Sequence, residues 1–342
     1  MLLEKSKQLV SIIIPTKNCE RTITFLMESL LELYSHDKEI EVIVIDNSTD
    51  STPTIISNYP FVKLIRVKKS GLNYARNLGI KMASGSIIAF TDGDCIVEKD
   101  WVNNIREALK EHVAAGGCVE LPPHITTNLL MRYSERGIIP IFIRYPREII
   151  ITKNNFFKLM PLIRPPSGNN MAFKKEVLTE VGLFDEEYRG GYDELDLEWR
   201  LCKKGYKILC SPRIKVYHLH RNTLRGLLKQ VHNYGRGHYL FLMKHKEPQF
   251  LKITIMMLIA WIIGLVIITT PIFFTLMGYL RVISMILIEG VWYLTYSITY
   301  RLKKHARVIE ALVYPVLDIL TGSAYILGFI RELISRRRRR FE

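Results

Sequence analysis

The chain has 342 residues and a formal net charge of +15, from 48 Lys and Arg against 33 Asp and Glu. Hydrophobic residues make up 48% of it, which excludes disordered, collagen-like and low-complexity classes. Residues 1–240 carry 34 basic and 27 acidic side chains and are long enough for one substantial domain, whereas 241–342 is too apolar for water, so the sequence reads as a membrane-attached globular protein.

Val10 to Ile14 is an apolar run closed by Pro15 and reads as a buried strand. Residues 20–34 then place Ile23, Leu26, Met27, Leu30, Leu31 and Tyr34 at helical spacing. Further strands are predicted at 42–45, 62–67 and 87–90, with helices over 73–83 and 99–112. Continuous apolar strands alternating with helices predict an α/β fold with a mostly parallel sheet covered on both faces. Ligands bind such sheets at the carboxyl ends of the strands. Three polar clusters fall there, at Pro15–Asn18, Asp46–Asp50 and Thr91–Asp94. Residues 120–166 are irregular and proline-rich (Pro122, Pro123, Pro140, Pro146, Pro161, Pro165, Pro166) and are expected to lie over the sheet and touch the membrane. They carry Arg144, Arg147 and Arg164, to which the sequence assigns no place. The pattern tightens again from Ser167 to Leu209, and no internal repeat is evident.

The last hundred residues change character. Ile253 to Leu280 is 28 residues without a charge, about 42 Å as helix and ample for a bilayer core of roughly 30 Å. Spans are expected at about 253–278 and 282–300, with Glu289 costly in the second. A third apolar stretch, 311–330, is interrupted by Pro315, Asp318 and Gly322. Basic clusters precede the first span (Lys244, Lys246, Lys252) and follow the second (Arg301, Lys303, Lys304, Arg307) and the third stretch (Arg331, Arg336 to Arg340). If all face the cytoplasm, the first two segments form a hairpin and 311–330 is re-entrant or interfacial; three full spans is the alternative. The basic tail 331–342 suits anionic headgroups, at about 1 kcal/mol per residue near the surface, or serves as a plain topology stop. No nucleic-acid partner is expected.

Five scattered cysteines without C-x-x-C or zinc spacing imply reduced thiols in a cytosol-like compartment. The leading apolar run, behind Glu4, Lys5 and Lys7, is too short for a signal peptide. The globular part, 1–240, is therefore expected on the cytoplasmic side of a multi-pass membrane region, 241–342.

The strongest chemical feature is Thr91-Asp92-Gly93-Asp94 after a predicted strand. Carboxylates at i and i+2 around a turn can collect a hard divalent cation, with diphosphate oxygens completing its shell. Most isolated D-x-D triplets are solvated turns, so position carries the argument. Gly71 to Gly79 opens a helix with Arg76 in it, either a diphosphate-facing helix start or a glycine-capped surface helix. Asp46 to Asp50 is either an N-cap and turn or a site for base and ribose recognition.

Together these features resemble family 2 glycosyltransferases of the GT-A fold, over roughly residues 9–240. The matching motifs are P-T-x-N (Pro15, Thr16, Asn18), D-x-S-x-D (Asp46, Ser48, Asp50), G-x-x-x-A-R-N-x-G (Gly71, Ala75, Arg76, Asn77, Gly79) and D-x-D (Asp92, Asp94). Gly168, Asn169 and Asn170 open a segment similar to the family's acceptor side, and Asp193 to Arg200 is similar to its E-D-x-D-L-x-x-R base motif. The resemblance implies a nucleotide-sugar-binding half, 1–119, and an acceptor and base half, 120–240. It implies donor contacts from Pro15, Thr16, Asn18, Asp46, Ser48, Arg76, Asn77, Asp92 and Gly93, Mg²⁺ or Mn²⁺ held by Asp94 and Asp92, and inversion at the anomeric carbon. The base falls on Glu194, although Asp and Glu are transposed here and Asp193 remains a candidate; an acidic helix start is also favoured by the macrodipole alone. Asp196 would cap or orient the helix. His218, preferred over His220, would be a further metal or diphosphate ligand, and Tyr234–Gly237 would close over the donor. The processive Q-x-x-R-W signature is absent, so a single-sugar transfer is expected. With the membrane segments, the acceptor is expected to be lipid-linked, polyprenyl or dolichyl. A polyprenyl-phosphate sugar synthase and a non-enzymatic GT-A-like scaffold are the competing readings.

Overall fold

The computed structural model describes residues 8–137, 142–160, 163–219, 222–275, 280–303 and 305–338. Pro140, Pro161, His220, Lys304, Arg339 and Arg340 lie outside them. The chain divides into two compact units, 1–127 with 141–220, and 128–140 with 221–342. The boundary expected at 240 falls inside a helix, and the second unit borrows a short segment from the middle of the chain.

The first unit opens with β1 (Val10–Thr16), α1 (Ile23–His36), β2 (Ile40–Asp46), α2 (Thr52–Ile56), β3 (Val62–Arg66), α3 (Leu72–Met82) and β4 (Ile87–Phe90). The predicted strands and the three predicted helices appear here, the last helix as α4 (Trp101–Glu111) after the short β5 (Cys95–Val97). β6 (Ala114–Glu120) follows; α5 (Leu129–Arg136) belongs to the second unit. The first unit resumes with β7 (Ile149–Ile151), α6 (Phe156–Leu159), β8 (Met171–Lys174), α7 (Lys175–Val181), α8 (Asp193–Lys203) and β9 (Ile208–His218).

Among the described residues nine strands form one sheet, ordered β3-β2-β1-β4-β8-β6-β9-β5, with β7 on β9. β3, β2, β1 and β4 are parallel, with Thr16 opposite Asp46. Beyond β4 the sheet is mixed: β8 runs antiparallel to β4 and to β6, and β9 parallel to β6. Strands β1 and β4 are almost wholly buried, as a parallel strand covered on both faces must be. The apolar stripe of α1 (Ile23, Leu26, Met27, Leu30) and Trp101, Val102 and Ile105 of α4 complete a core with Ile12, Ile14, Val42 and Val44. The sheet thus delivers the ends of β1, β2 and β4 to one edge.

The second unit holds α5, α9 (Leu224–His245), α10 (Pro248–Thr275), α11 (Leu280–Lys303) and α12 (Val308–Arg338). The expected spans at 253–278 and 282–300 coincide with α10 and α11, residues 276–278 lying outside the description. Among the described residues, Val308–Arg337 is long and apolar enough to cross a membrane. Its polarity is inverted relative to a helix in water. Leu312, Val316, Ile319, Leu327, Ile330 and Ile334 are exposed, while Glu310, Asp318, Thr321 and Glu332 are buried. Each buried carboxylate has partners within the unit. Glu310 accepts from Arg132 and Arg136 of α5 at 2.6 and 3.0 Å. Asp318 accepts from Tyr133, Tyr296 and Tyr300 at 2.7, 2.8 and 2.5 Å, and Glu332 from Arg236 at 2.7 Å.

Tyr234–Gly237, expected to close over a donor, lies inside α9. A Cβ on Gly235 would sit 1.9 Å from the Tyr325 carbonyl oxygen, and one on Gly328 1.9 Å from that of His232. Both helices therefore need glycine where they cross. Gly235→Leu is expected to force α9 from α12, with an overpacking cost of about 1–3 kcal/mol or more. A thermal melt of the full chain in detergent checks this; an unshifted midpoint would mean the crossing is not tight.

Candidate active site

The end of β2 supplies the first group. Asp46 is fully buried and accepts from the Thr16 hydroxyl at 2.7 Å, the Ser48 hydroxyl at 2.6 Å and the Ser48 amide at 3.2 Å. Arg66 of β3 pairs with it at 3.0 Å and donates to the Ser48 carbonyl at 2.8 Å. Asn18 adopts a left-handed conformation after Pro15; its amide donates to Ser48 Oγ and its side chain accepts from the Thr49 amide. Asp50 holds the next turn through Thr52. Thr16, Asn18, Asp46 and Ser48 are thus gathered into one cluster, with Asp46 as its internal brace.

The Asp92–Asp94 turn joins β4 to β5. Asp94 Oδ1 lies 3.0 Å from His218 Nε2, because antiparallel pairing sets Cys95 opposite His218. Ligand atoms of Asp94, Cys95 and His218 lie within 4.8 Å of one another. Burial pushes the Cys95 thiol well up, so the oxygen and nitrogen donors are the ones suited to a divalent cation at neutral pH. Oδ1 of Asp92 is buried and accepts no hydrogen bond among the described residues. Burial raises that carboxyl, an effect opposed by the Arg76 guanidinium 3.8 Å away. Two carboxylates and an imidazole at a strand end fit such an ion. His220 lies outside the described residues.

Arg76 of α3 is the hub. The sequence places it toward a diphosphate; in the structure it is 2% exposed. Nη1 donates to Asp193 Oδ2 at 2.6 Å and Nη2 to the Gly168 carbonyl at 3.0 Å. A Cβ on Gly168 would sit 2.4 Å from Nη2, so only glycine admits the guanidinium there. Asp193 also accepts from the Gly191 amide at 2.9 Å and is buried at the start of α8, behind Tyr192 in a left-handed conformation. Asp196 holds Arg200, one turn on, at 2.8 Å.

Glu194, half-buried on the same turn, has its carboxyl pushed up to about 8 by burial and the neighbouring Asp193, against the pull of Arg76. A carboxyl poised there can take a proton near neutral pH. Of the two base candidates, Asp193 is tied up by Arg76 and the longer Glu194 is not so held.

Asn77 is likewise internal, exchanging hydrogen bonds with the backbone of Phe184 at 2.9 Å. Asn73, which the sequence reading overlooked, donates to the carbonyls of Asp185 and Tyr188. The conspicuous Ala-Arg-Asn triplet therefore fastens α3 to the loop that launches α8. Asn170 is fully buried, bridging Trp101, Cys118 and Ile214, and Asn169 donates to Cys95 Sγ at 3.6 Å, next to Asp94. Gly93 packs against Cys19 and Thr16. No disulfide occurs among the described residues.

The family model described as Glycosyl transferase family 2 matches residues 11–182. The chain is 28% identical over 239 residues to a poly-beta-1,6-N-acetyl-D-glucosamine synthase of Staphylococcus aureus (strain COL), covering 69% of this chain and 56% of that protein. It is 26% identical over 243 residues to the synthase of the same description from Staphylococcus epidermidis, covering 70% and 57%. The chain thus spans little more than half the length of these curated relatives. Among solved structures it is similar in fold to mannosyltransferase PcManGT from Pyrobaculum calidifontis in complex with GDP-Man and Mn²⁺, with TM-score 0.62, 17% identity, and coverage of 96% and 88%. Because one family model spans half the chain, including the strand-end cluster, the Arg76 helix and the Asp92–Asp94 turn, the chain belongs to glycosyl transferase family 2 and has its GT-A-like fold.

Proposed function

We propose that the chain transfers a single sugar, with inversion, from a nucleotide-diphosphate sugar to a membrane lipid-linked acceptor. The observation that carries this reading is the pair of acidic sites attached to Arg76: the Asp92–Asp94 turn with His218, and the Asp193–Glu194 turn. The strand-end cluster of Pro15, Thr16, Asn18, Asp46 and Ser48 faces the nucleoside. Asp94, His218 and Asp92 hold a divalent cation, Mn²⁺ suiting the imidazole better than Mg²⁺. That ion, when bound, neutralises charge developing on the diphosphate leaving group. Glu194 takes the proton of the acceptor hydroxyl as its oxygen attacks opposite the diphosphate. Arg76 fixes Asp193, and through it the start of α8, so the base is aimed without substrate. Gly168 and Asn169 border the acceptor side. The relatives matched are described as polymer synthases; the lack of Q-x-x-R-W supports one transfer per acceptor.

The inverted polarity of α12 supports a membrane location, since exposed apolar faces belong in lipid and buried carboxylates need internal partners. α9 carries Arg225, Lys229, Arg236 and Lys244 with no acidic residue and packs along α12. A helix so basic stays at the headgroups, which favours α10 and α11 as the crossing hairpin and α12 as interfacial. The basic clusters are what supports reading the catalytic unit as cytoplasmic.

Calorimetric titration of UDP and GDP into the solubilised chain, with and without Mn²⁺, tests the donor site. One nucleotide is expected to bind in a metal-dependent way, and Asp94→Asn to lose that binding. Binding unaffected by metal and by Asp94→Asn would overturn the cation site.

A further inference from the structure

The basic turn between α11 and α12 is more than a string of charges. Glu310, fully buried on the first turn of α12, accepts from the backbone amide of Arg307 at 2.9 Å, half of a capping box that fixes the turn. Its carboxylate also holds Arg132 and Arg136 of α5 at 2.6 and 3.0 Å, and the Arg307 guanidinium stands 4.0 Å away. Arg136 reaches the His305 carbonyl as well, and Arg301 donates to the Ala306 carbonyl at 2.6 Å. Glu135 lies 4.0 Å from Arg136. Four guanidiniums thus gather at one turn around two carboxylates, an excess of two positive charges. Neutralising Glu310 alone needs only one of them. A second observation lies one turn further along α12. Tyr314 is 0% exposed, its ring packs 5.3 Å from those of Tyr133 and Tyr300, and its hydroxyl has no hydrogen-bond partner among the described residues. The charged groups around it are Glu310, Arg136, Arg132 and Glu135, those of the cluster. A buried hydroxyl needs an acceptor, and surplus guanidiniums need an anion. At the same turn Leu302, Val308 and Ile309 are exposed, so an anion bound there sits beside apolar surface.

We propose that this turn is a binding site for the phosphate of a phosphomonoester lipid, whose oxygens accept from Arg136, Arg301, Arg307 and the Tyr314 hydroxyl. A phosphomonoester carries about −1.5 to −2 at pH 7, which matches the surplus charge, whereas a phosphodiester carries a single charge. Guanidinium forks suit phosphate oxygens in pairs. The exposed Leu302, Val308 and Ile309 take the start of the lipid's chain. The lipid half of the proposal rests on the membrane reading of this unit and not on the transferase reading.

Calorimetric titration of short-chain phosphatidic acid, phosphatidylglycerol and inorganic phosphate into the full chain in an uncharged detergent tests it. One site is expected for phosphatidic acid, tighter than for phosphatidylglycerol and not displaced by equimolar inorganic phosphate. The Arg307 side chain is 73% exposed, so Arg307→Gln keeps the fold. It is expected to weaken phosphatidic acid about tenfold, the worth of one charge-assisted hydrogen bond. Lys229→Gln, the same loss of charge on the exposed face of α9, is expected to change nothing. Tyr314→Phe should weaken binding without lowering the lipid-free melting point, since the hydroxyl has no internal partner to lose. A polyprenyl phosphate that binds tighter than phosphatidic acid would identify the occupant as the sugar acceptor, and equal binding a resident membrane lipid; both outcomes keep the site. Equal binding of the two phospholipids, displacement by inorganic phosphate, an equal loss in Lys229→Gln, or wild-type binding in both Arg307→Gln and Tyr314→Phe would overturn it. Sedimentation with vesicles separates the two readings: a chain that sediments yet shows none of these differences keeps its membrane location and loses the site.

Discussion

Glu194→Gln is expected to lose sugar transfer to a hydroxyl acceptor by about 10²–10⁴-fold in kcat, the usual contribution of a positioned general base, while binding nucleotide as the wild type does. Glutamine keeps the length of the side chain and removes only its capacity to accept a proton. Burial and Asp193 push the Glu194 carboxyl up to about 8, with Arg76 opposing them. The base form is the ionised one, so kcat/KM of the wild type should rise about tenfold per pH unit and level off near pH 8. The variant should lack this limb. Asp193→Asn separates the two acids: it should cost stability, through the lost Arg76 contact, and move the limb to lower pH without abolishing it, because the Asp193 charge that raises Glu194 is gone. Wild-type turnover in Glu194→Gln with a dead Asp193→Asn would move the base to Asp193. Transfer retained in Glu194→Gln but lost in Asp94→Asn would mean an acceptor oxygen already ionised, as in a polyprenyl phosphate.

The parallel half of the sheet was legible because its strands are short runs dominated by Val, Ile and other apolar residues, and because crossover helices repeat the 3.6-residue period between them. Strands β5 and β6 carried no such signal. β5 is only three residues long, and β6 reads Ala-Ala-Gly-Gly-Cys-Val-Glu, poor in β-branched residues. These strands are specified by neighbours distant in sequence, such as the pairing of Cys95 with His218. For the site, spacing revealed which residues matter more readily than which way they face. Asp94 and His218 emerge beside one another, as their types imply. Arg76 and Asn77 do not face outward as a helix-start motif would have them. Their partners are Asp193 and Phe184, more than a hundred residues away, and no local pattern announces such a contact. The division of the chain differs for a related reason: the basic composition of α9 resembles that of a soluble helix, but its Gly235 lies tight against α12, in the second unit.

Arg76→Met is expected to cause the largest structural loss of any single change in the first unit. The guanidinium is the buried counter-charge to Asp193 at 2.6 Å and stands 3.8 Å from Asp92. Removing it leaves one carboxylate fully buried without a cation. Breaking one side of a buried ion pair costs about 3–5 kcal/mol, which for a domain of this size lowers the melting point by roughly 10 °C. Lysine should rescue poorly, since one ammonium cannot reproduce the fork that spans Asp193 and the Gly168 carbonyl. The deficit has a pH signature. Acidification protonates the stranded carboxylates, so the gap between wild type and Arg76→Met should narrow as pH falls from 8 to 5. Melting curves at the two pH values give the answer directly. A variant that melts with the wild type at both, yet no longer binds nucleotide, would return Arg76 to the diphosphate-facing role that its helix-start motif implies. The geometry argues otherwise, because a guanidinium bonded to Asp193 and the Gly168 carbonyl with 2% exposure meets a donor only through the acids it holds.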